Sequence, residues 1–225
     1  MRTLEGKTAL VTGGGKGIGR AIALALSARG VRVVVTGREE KALGETVGEI
    51  AHGGGKGRHL AGDVRDPAHL AAAVGRAIDV FGGLDLVVAN AGQADLVALG
   101  GDLARAEAIF ETNLMGAYYT FNAAVPHMRG PGRLLAMSRV LPDPGAPGHA
   151  AYSASHAGVV GLCRAVARDV AAKKITCNAI VRGNGSGDVA EAKLAELVVF
   201  LCGAAADGIN AQAIAVDAGA AVSAG

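Results

Sequence analysis

Short apolar runs rich in β-branched residues alternate along the chain with longer stretches rich in alanine and leucine. Such alternation is typical of strands connected by helices in a parallel sheet. The predicted strands are 8–12, 31–36, a short one within 57–64, 84–92, 132–138, 175–181 and 211–219, and the predicted helices are 19–29, 39–51, 68–81, 103–128, 152–172 and 191–202. The pattern predicts an α/β fold of three layers, in which a doubly wound parallel sheet of about seven strands lies between helices.

No repeat, linker or second domain interrupts this alternation, and 225 residues suit one domain. Hydrophobic residues make up 51% of the chain, which is enough for a large core. A net charge of +2, scattered basic residues and only 3% aromatic residues argue against nucleic acid or an anionic membrane as partners. No apolar signal core or membrane-spanning run is present, which predicts a soluble, cytoplasmic protein.

The three cysteines, Cys163, Cys177 and Cys202, are an odd number without a closely spaced pair. A disulfide framework or a zinc site is therefore not expected. We predict that all three are buried as small apolar side chains.

A glycine-rich segment, "TGGGKGIGR" at 12–20, directly follows the first predicted strand and opens the first predicted helix. Gly13, Gly17 and Gly19 have a G-x-x-x-G-x-G spacing, which lets a backbone turn tightly and approach a pyrophosphate at the helix N-terminus. Glycine spacing alone is weak in a chain with 35 glycines. The strand–loop–helix context is what indicates a dinucleotide site.

The end of the second strand, "VVVTGREE", bears on the cofactor. An NAD site usually has an acidic residue here to bind the ribose 2′-hydroxyl, but this chain has Gly37 followed by Arg38. With Lys16 in the glycine loop, two cations favour the 2′-phosphate of NADP(H) over NAD(H). Solvated surface charges are the alternative interpretation, and Glu39 and Glu40 keep it open.

Four motifs in order, "TGGGKGIG" at 12–19, "NAG" at 90–92, "NLMG" at 113–116 and "YSAS" at 152–155, resemble those of the short-chain dehydrogenase/reductase family. The similarity is greatest to 3-oxoacyl-acyl-carrier-protein reductases. It implies a single NADP-binding Rossmann-type domain over 1–225 and a homotetramer or homodimer packed through 103–128 and 152–172. The cofactor residues that loop, strand and resemblance together predict are Gly13, Gly15, Lys16, Gly17, Ile18, Gly19, Arg38, Asp63, Val64, Asn90, Ala91, Gly92, Tyr152 and His156.

The resemblance also implies hydride transfer at a carbonyl or alcohol carbon, with a catalytic tyrosine, serine, lysine and asparagine. Tyr152 and Asn113 match the first and last of these. In "RLLAMSRV" at 133–140, Ser138 aligns with a first serine, whereas Arg139 replaces the second, catalytic one. His156 replaces the lysine, so the catalytic tetrad is degenerate.

Two further departures lie after the sixth strand. The family's Pro-Gly is Arg182-Gly183 here. The substrate lid, about 184–193, is much shortened.

The substitutions at the tetrad change the electrostatics around Tyr152. A free tyrosine has a pKa near ~10. A cation about 4 Å away contributes roughly 4 kcal/mol at an effective dielectric of ~20 and can lower that pKa by up to about three units. Histidine is mostly neutral at pH 7, so His156 replaces lysine poorly except in acid.

Arg139 is the second candidate cation. If it points into the cleft, it supplies the missing field or binds a substrate carbonyl or carboxylate. If it points outward, the oxyanion position is empty unless Ser138 rotates in, since adjacent residues of a regular strand face opposite ways.

Three functions remain open at this point. The first is an NADP-dependent oxidoreductase with Tyr152 as acid and base, acting with weakened or altered catalysis on a small-molecule or carrier-bound carbonyl. The alternative is a non-catalytic NADP-binding pseudoenzyme that serves as a sensor or a partner subunit. The third and weakest is another chemistry with His156 as base.

Overall fold

A computed structural model describes residues 4–139, 147–183 and 190–217. Within these ranges, seven strands form one parallel sheet in the order β3-β2-β1-β4-β5-β6-β7. The strands are β1 (Thr8–Thr12), β2 (Arg32–Gly37), β3 (Gly57–Ala61), β4 (Leu86–Ala89), β5 (Gly132–Arg139), β6 (Ile175–Arg182) and β7 (Ala213–Val216). The predicted doubly wound α/β fold is confirmed.

The helices of the described ranges cover both faces of the sheet. They are α1 (Gly17–Ala28), α2 (Glu40–His52), α3 (Pro67–Phe81), α4 (Leu103–Phe110), α5 (Gly116–Ala124), α6 (Ala150–Asp169) and α7 (Glu191–Cys202). One buried cluster joins α3, α5 and α6 to one face of the sheet, and a second joins α1, α2 and α7 to the other. Cys163, Cys177 and Cys202 are buried in these clusters without a disulfide, as predicted.

The predicted helix over 103–128 is wrong in one respect. A π-helical turn, Glu111–Met115, separates α4 from α5, and a 3₁₀ turn, Val125–His127, follows α5. Apolar spacing does not reveal a π turn, because its extra residue shifts the spacing by only one position in a stretch that is helical on both sides.

Several other predicted bounds also shift. The fourth strand, predicted over 84–92, covers only Leu86–Ala89. At the carboxyl end a side chain takes over from the backbone, where Thr12 Oγ1 accepts from Asn90 N at 3.0 Å. Before Leu86, the Asp85 carboxylate accepts from Thr8 N at 2.9 Å in addition to the backbone bonds of Asp85. The strand predicted over 211–219 is Ala213–Val216, and its last two residues lie outside the described ranges.

All seven described strands run the same way, so their carboxyl ends meet at one edge of the sheet. This edge brings together the glycine loop after β1 and the ends of β2, β4, β5 and β6. Ligands of open parallel sheets bind at this edge.

Candidate active site

The glycine loop between β1 and α1 has a backbone that requires glycine. Gly13 has φ +67° and Gly17 has φ +52°, in the left-handed region. A Cβ added to Gly19 would lie 2.2 Å from the carbonyl oxygen of Gly13. Gly19 therefore packs directly against the Gly13 carbonyl, and only glycine allows the loop to fold this tightly onto the start of α1.

Hydrogen bonds from the end of β4 hold this loop in place. Thr12 Oγ1 accepts from the backbone N–H groups of Asn90 and Ala91, each at 3.0 Å. Asn90 Nδ2 donates to the carbonyls of Thr12 at 3.0 Å and Gly13 at 3.4 Å. Thr12 was not among the predicted site residues, although its position as a polar residue ending a buried strand was a usable signal.

A cavity of about 230 Å³ opens beside the loop toward the end of β2. It brings together eight of the residues predicted for the cofactor: Gly13, Gly15, Lys16, Arg38, Asp63, Val64, Ala91 and Gly92. Lys16 Nζ lies 2.5 Å from a carboxylate oxygen of Glu39, and both side chains are largely exposed. Arg38 is exposed at the same rim. Both predicted cations thus border the cavity, and Lys16 is paired with a carboxylate.

Asp63 lies on the wall of this cavity and interacts with Arg65. Its carboxylate accepts from the backbone N–H of Arg65 at 2.9 Å and from the guanidinium at 3.0 and 2.8 Å. This pairing lowers the pKa of the Asp63 carboxyl below its usual value. Asp63 is therefore an ionised acceptor at neutral pH.

A second cavity, of about 310 Å³, continues from the first and shares Lys16, Ala91 and Gly92 with it. Its wall brings together the remaining predicted residues, which are Gly17, Ile18, Gly19, Asn90, Asn113, Ser138, Arg139, Tyr152 and His156. Arg182 and Glu191, which were not predicted as site residues, line it as well.

Tyr152 and His156 lie one turn apart at the start of α6 and face each other. Their ring centroids are 4.5 Å apart with an interplanar angle of 63°. Burial, and after it the charge of Arg139, lowers the pKa of His156 to about 4. His156 Nδ1 is buried without a hydrogen-bond partner. The His156 imidazole is therefore neutral at neutral pH, and the acid range in which it could replace a lysine begins below about pH 5.

Ser138 and Arg139 end β5 and have different surroundings. Ser138 is 4% exposed, and its hydroxyl donates to the backbone carbonyl of His156 at 3.0 Å. Arg139 is half-buried, lines the second cavity and acts electrostatically on His156. The structure thus places the guanidinium on the cavity side and uses the serine as a donor to α6.

Asn113 lies in the π turn and is 4% exposed. Its Oδ1 accepts from Gln93 N at 2.7 Å, and its Nδ2 donates to Gln93 O at 3.1 Å and to Ser155 Oγ at 3.2 Å. Ser155 Oγ donates in turn to the carbonyl of Tyr152 at 2.7 Å. The Asn113 amide therefore connects the segment after β4 to the first turn of α6.

Two other expectations from the sequence concern the substrate lid and the presence of a metal site or a membrane span. Residues 184–189 of the predicted lid lie outside the described ranges, and 191–193 form the first turn of α7. In the part of the chain that the structure describes, no His, Cys, Asp or Glu cluster suits a metal ion, and no helix is long and apolar enough to cross a membrane.

Comparison with known proteins decides the family. The short chain dehydrogenase model matches residues 7–196. The chain belongs to the short-chain dehydrogenase family. The short-chain dehydrogenases are oxidoreductases that bind a nicotinamide cofactor. The predicted family and the predicted class, an oxidoreductase, are therefore confirmed.

Curated short-chain dehydrogenase relatives include two reductases. The hydroxynaphthalene reductase-like protein of Metarhizium robertsii is 38% identical over 197 residues, which cover 85% of this chain and 73% of the relative. The versicolorin reductase of Emericella nidulans is 38% identical over 186 residues, which cover 80% and 69%.

Solved short-chain dehydrogenases have the same fold. A dehydrogenase/reductase of Sinorhizobium meliloti superposes with a TM-score of 0.92 at 28% identity, covering 97% of this chain and 96% of the other. A short chain dehydrogenase of Burkholderia cenocepacia, solved in complex with NADP, superposes with a TM-score of 0.91 at 30% identity, covering 97% and 99%.

Proposed function

We propose that this chain is an NADP(H)-dependent carbonyl reductase and alcohol dehydrogenase in which Tyr152 exchanges the proton with the substrate oxygen. The observation that carries the proposal is the continuity of the two cavities. One leads from the Arg38 rim to the glycine loop, and the next leads from the loop to Tyr152. A dinucleotide along this path would end beside the tyrosine.

The residues present fit this cofactor, because Gly13 and Gly15 line the first cavity and Gly17 and Gly19 line the second, where glycine lets a pyrophosphate approach the backbone at the N-terminus of α1. When bound, NADP(H) supplies or accepts the hydride. The residues that we propose to hold it are Gly13, Gly15, Gly17, Ile18 and Gly19 at the pyrophosphate, Lys16 and Arg38 at the 2′-phosphate, Asp63 and Val64 at the adenine, and Asn90, Ala91, Gly92, Tyr152 and His156 toward the nicotinamide half.

Tyr152 acts as acid in reduction and as base in oxidation. Its phenol donates a proton to the carbonyl oxygen, or takes it back from the alcohol. The phenolate form needs a nearby positive charge, and His156 is neutral. We assign that charge to Arg139, a cation that lines the same cavity.

Asn113 and Ser138 serve this proton transfer by positioning. Asn113 supports the first turn of α6 through Ser155, and Ser138 donates to the backbone of His156. The serine hydroxyl is therefore engaged as a donor, which leaves Tyr152 to bind the substrate oxygen, with Arg139 as the nearby cation.

The curated relatives support reduction as the physiological direction, since they carry the names of hydroxynaphthalene and versicolorin reductases. We infer that aromatic ketones are suitable first substrates.

The test combines turnover and binding. NADPH oxidation is followed with aliphatic ketones, hydroxynaphthalene-derived ketones and 3-oxoacyl thioesters, while NADPH binding is followed by cofactor fluorescence. We expect turnover in wild type and a loss of about a hundredfold or more in Tyr152→Phe, with NADPH affinity retained. Tight NADPH binding without turnover on any carbonyl would contradict the proposal and favour a non-catalytic protein.

A further inference from the structure

Two arginines lie side by side at the ends of adjacent strands. Arg139 is the last residue of β5 and Arg182 the last of β6, and they are partners in the parallel register. Register partners on neighbouring parallel strands point to the same face, about 5 Å apart at the backbone. Both are half-buried and line the cavity that contains Tyr152 and His156. This wall of the cavity is therefore lined by two arginines.

The charges in this cavity are unevenly placed. Among its described lining residues the cations are Lys16, Arg139 and Arg182, whereas Glu191 is the one carboxylate. Glu191 lies toward the glycine loop, with Oε1 3.3 Å from where a Cβ on Gly17 would be. It also acts on Arg20 at the surface. The cavity-lining side chains at the end formed by β5 and β6 are thus positive, and the Asp217 carboxylate lies next to Gly183 behind this lining.

The groups beside the arginines in this lining are neutral and do not offset the positive charge. Burial and the field of Arg139 hold the pKa of His156 at about 4, so its imidazole adds no charge at neutral pH. Ser138 contributes a hydroxyl that already donates to backbone. A second guanidinium beside Arg139 exceeds what the proton transfer at Tyr152 requires, since one cation supplies that field.

We propose that the substrate carries a carboxylate, which binds to the paired guanidinium groups of Arg139 and Arg182 while its carbonyl group faces Tyr152. Guanidinium groups bind carboxylates through two parallel N–H···O bonds, which fixes orientation as well as affinity. Each arginine already has an interaction partner within the chain. A guanidinium has five N–H donors, so each arginine can bind a carboxylate in addition to that partner. The substrate class is a small oxo acid, and this rests on the proposed function of the same site.

The test compares oxo acids with their neutral esters. Pyruvate, acetoacetate and levulinate are titrated by calorimetry into the NADP⁺-loaded protein, beside the methyl ester of each. We expect at least one acid to bind about tenfold or more tightly than its ester. Arg182→Gln removes that preference, Arg182→Lys restores part of it, and Arg76→Gln, which removes an exposed arginine of α3, leaves it unchanged.

The outcomes separate this inference from the proposed function. If acids bind preferentially and depend on Arg182 but none is reduced, the anion site stands and the reductase proposal fails. If esters bind and are reduced as well as acids, the reductase proposal stands and the anion site is overturned. Equal binding of each acid by wild type and Arg182→Gln, or no binding of any acid, also overturns it.

Discussion

The two cavities at the sheet edge are built by different means. Around the glycine loop, shape is set by backbone, and the polar groups of Thr12 and Asn90 are satisfied by one another. Around Tyr152, side chains set the shape of the cavity. His156 Nδ1 is buried there without a hydrogen-bond partner, and two arginines end adjacent strands. A backbone cradle requires glycine at fixed positions, whereas a positive field can come from any cation within reach. The second region therefore does not need its cation at one fixed position, and under the proposed function Arg139 supplies the charge beside Tyr152.

The largest effect is expected from Gly19→Ala. The new Cβ would meet Gly13 O at 2.2 Å and Asn90 Nδ2 at 2.4 Å, and a carbonyl oxygen cannot rotate away as a side chain does. We expect NADPH affinity to fall by about a hundredfold or more. Fluorescence titration of NADPH measures it, with Gly44→Ala in α2 as the control.

The next largest effect is expected from Arg139→Gln, assayed on an uncharged carbonyl. Removing the cation beside Tyr152 should lower kcat/KM by about ten- to a hundredfold, with NADPH affinity changed little. His156→Gln at pH 7 should change kcat/KM by less than about threefold, because the imidazole is already neutral. A larger loss in His156→Gln than in Arg139→Gln would show that the charge has been assigned to the wrong residue.

The buried imidazole should also make stability depend on pH. The pKa of His156 is about 4 in the folded state and about 6.5 when unfolded, so the unfolded chain binds the proton first as pH falls. The stability that depends on neutral His156 is fully present above about pH 6.5 and is lost toward pH 4. This lowers the unfolding free energy by about 2–3 kcal/mol between pH 7 and pH 4.5.

Urea denaturation at these two pH values measures that loss. Between these pH values, His156→Gln should lose about 2–3 kcal/mol less unfolding free energy than wild type. The exposed His127→Gln should behave as wild type. An identical pH dependence in His156→Gln would refute the burial argument.

A smaller effect is expected from Arg38→Gln at the other end of the cofactor path. Loss of one charge near the 2′-phosphate should reduce the NADPH-to-NADH affinity ratio by about tenfold. Glu39→Gln should raise the ratio, since Lys16 is released from its 2.5 Å ion pair. Lys41→Gln removes a nearby exposed cation that does not line the cavity and serves as the control.

The smallest effect is expected from Gly44→Ala. Gly44 lies within α2, and nothing is within 4 Å of the added Cβ. We expect an increase in unfolding free energy of about 0.5–1 kcal/mol and unchanged NADPH affinity. Destabilisation measured in urea would contradict the open space at this position.

Much of the fold and of the cofactor cavity is predictable because it depends on local pattern. The glycine spacing after β1 and the alternation of apolar runs identify the sheet edge, and the predicted residues along the loop come together there. The π turn at Glu111–Met115 is not predictable from apolar spacing, because its extra residue shifts that spacing by only one position within a helical stretch.

The electrostatics of the second region depend on burial, which sequence does not give. His156 has an ordinary pKa near ~6.5 in water, and only its surroundings lower it to about 4. The position of the Arg139 side chain was likewise open, because strand alternation does not fix a long side chain at the end of a strand. Arg182 was noted only as a departure from the family, and its register with Arg139 needed the sheet.

The π turn has a consequence for insertions and deletions. Its i→i+5 hydrogen bonding encloses one more residue than an α-helical turn. If one residue is deleted from 111–115, we expect the π turn to become an ordinary α-helical turn. Ile109 would then stay in its cluster with Tyr152. The same deletion within α3 would rotate one end of the helix by about 100°. We therefore expect a chain shortened here to remain folded and to lose the contacts of Asn113 with Gln93 and Ser155.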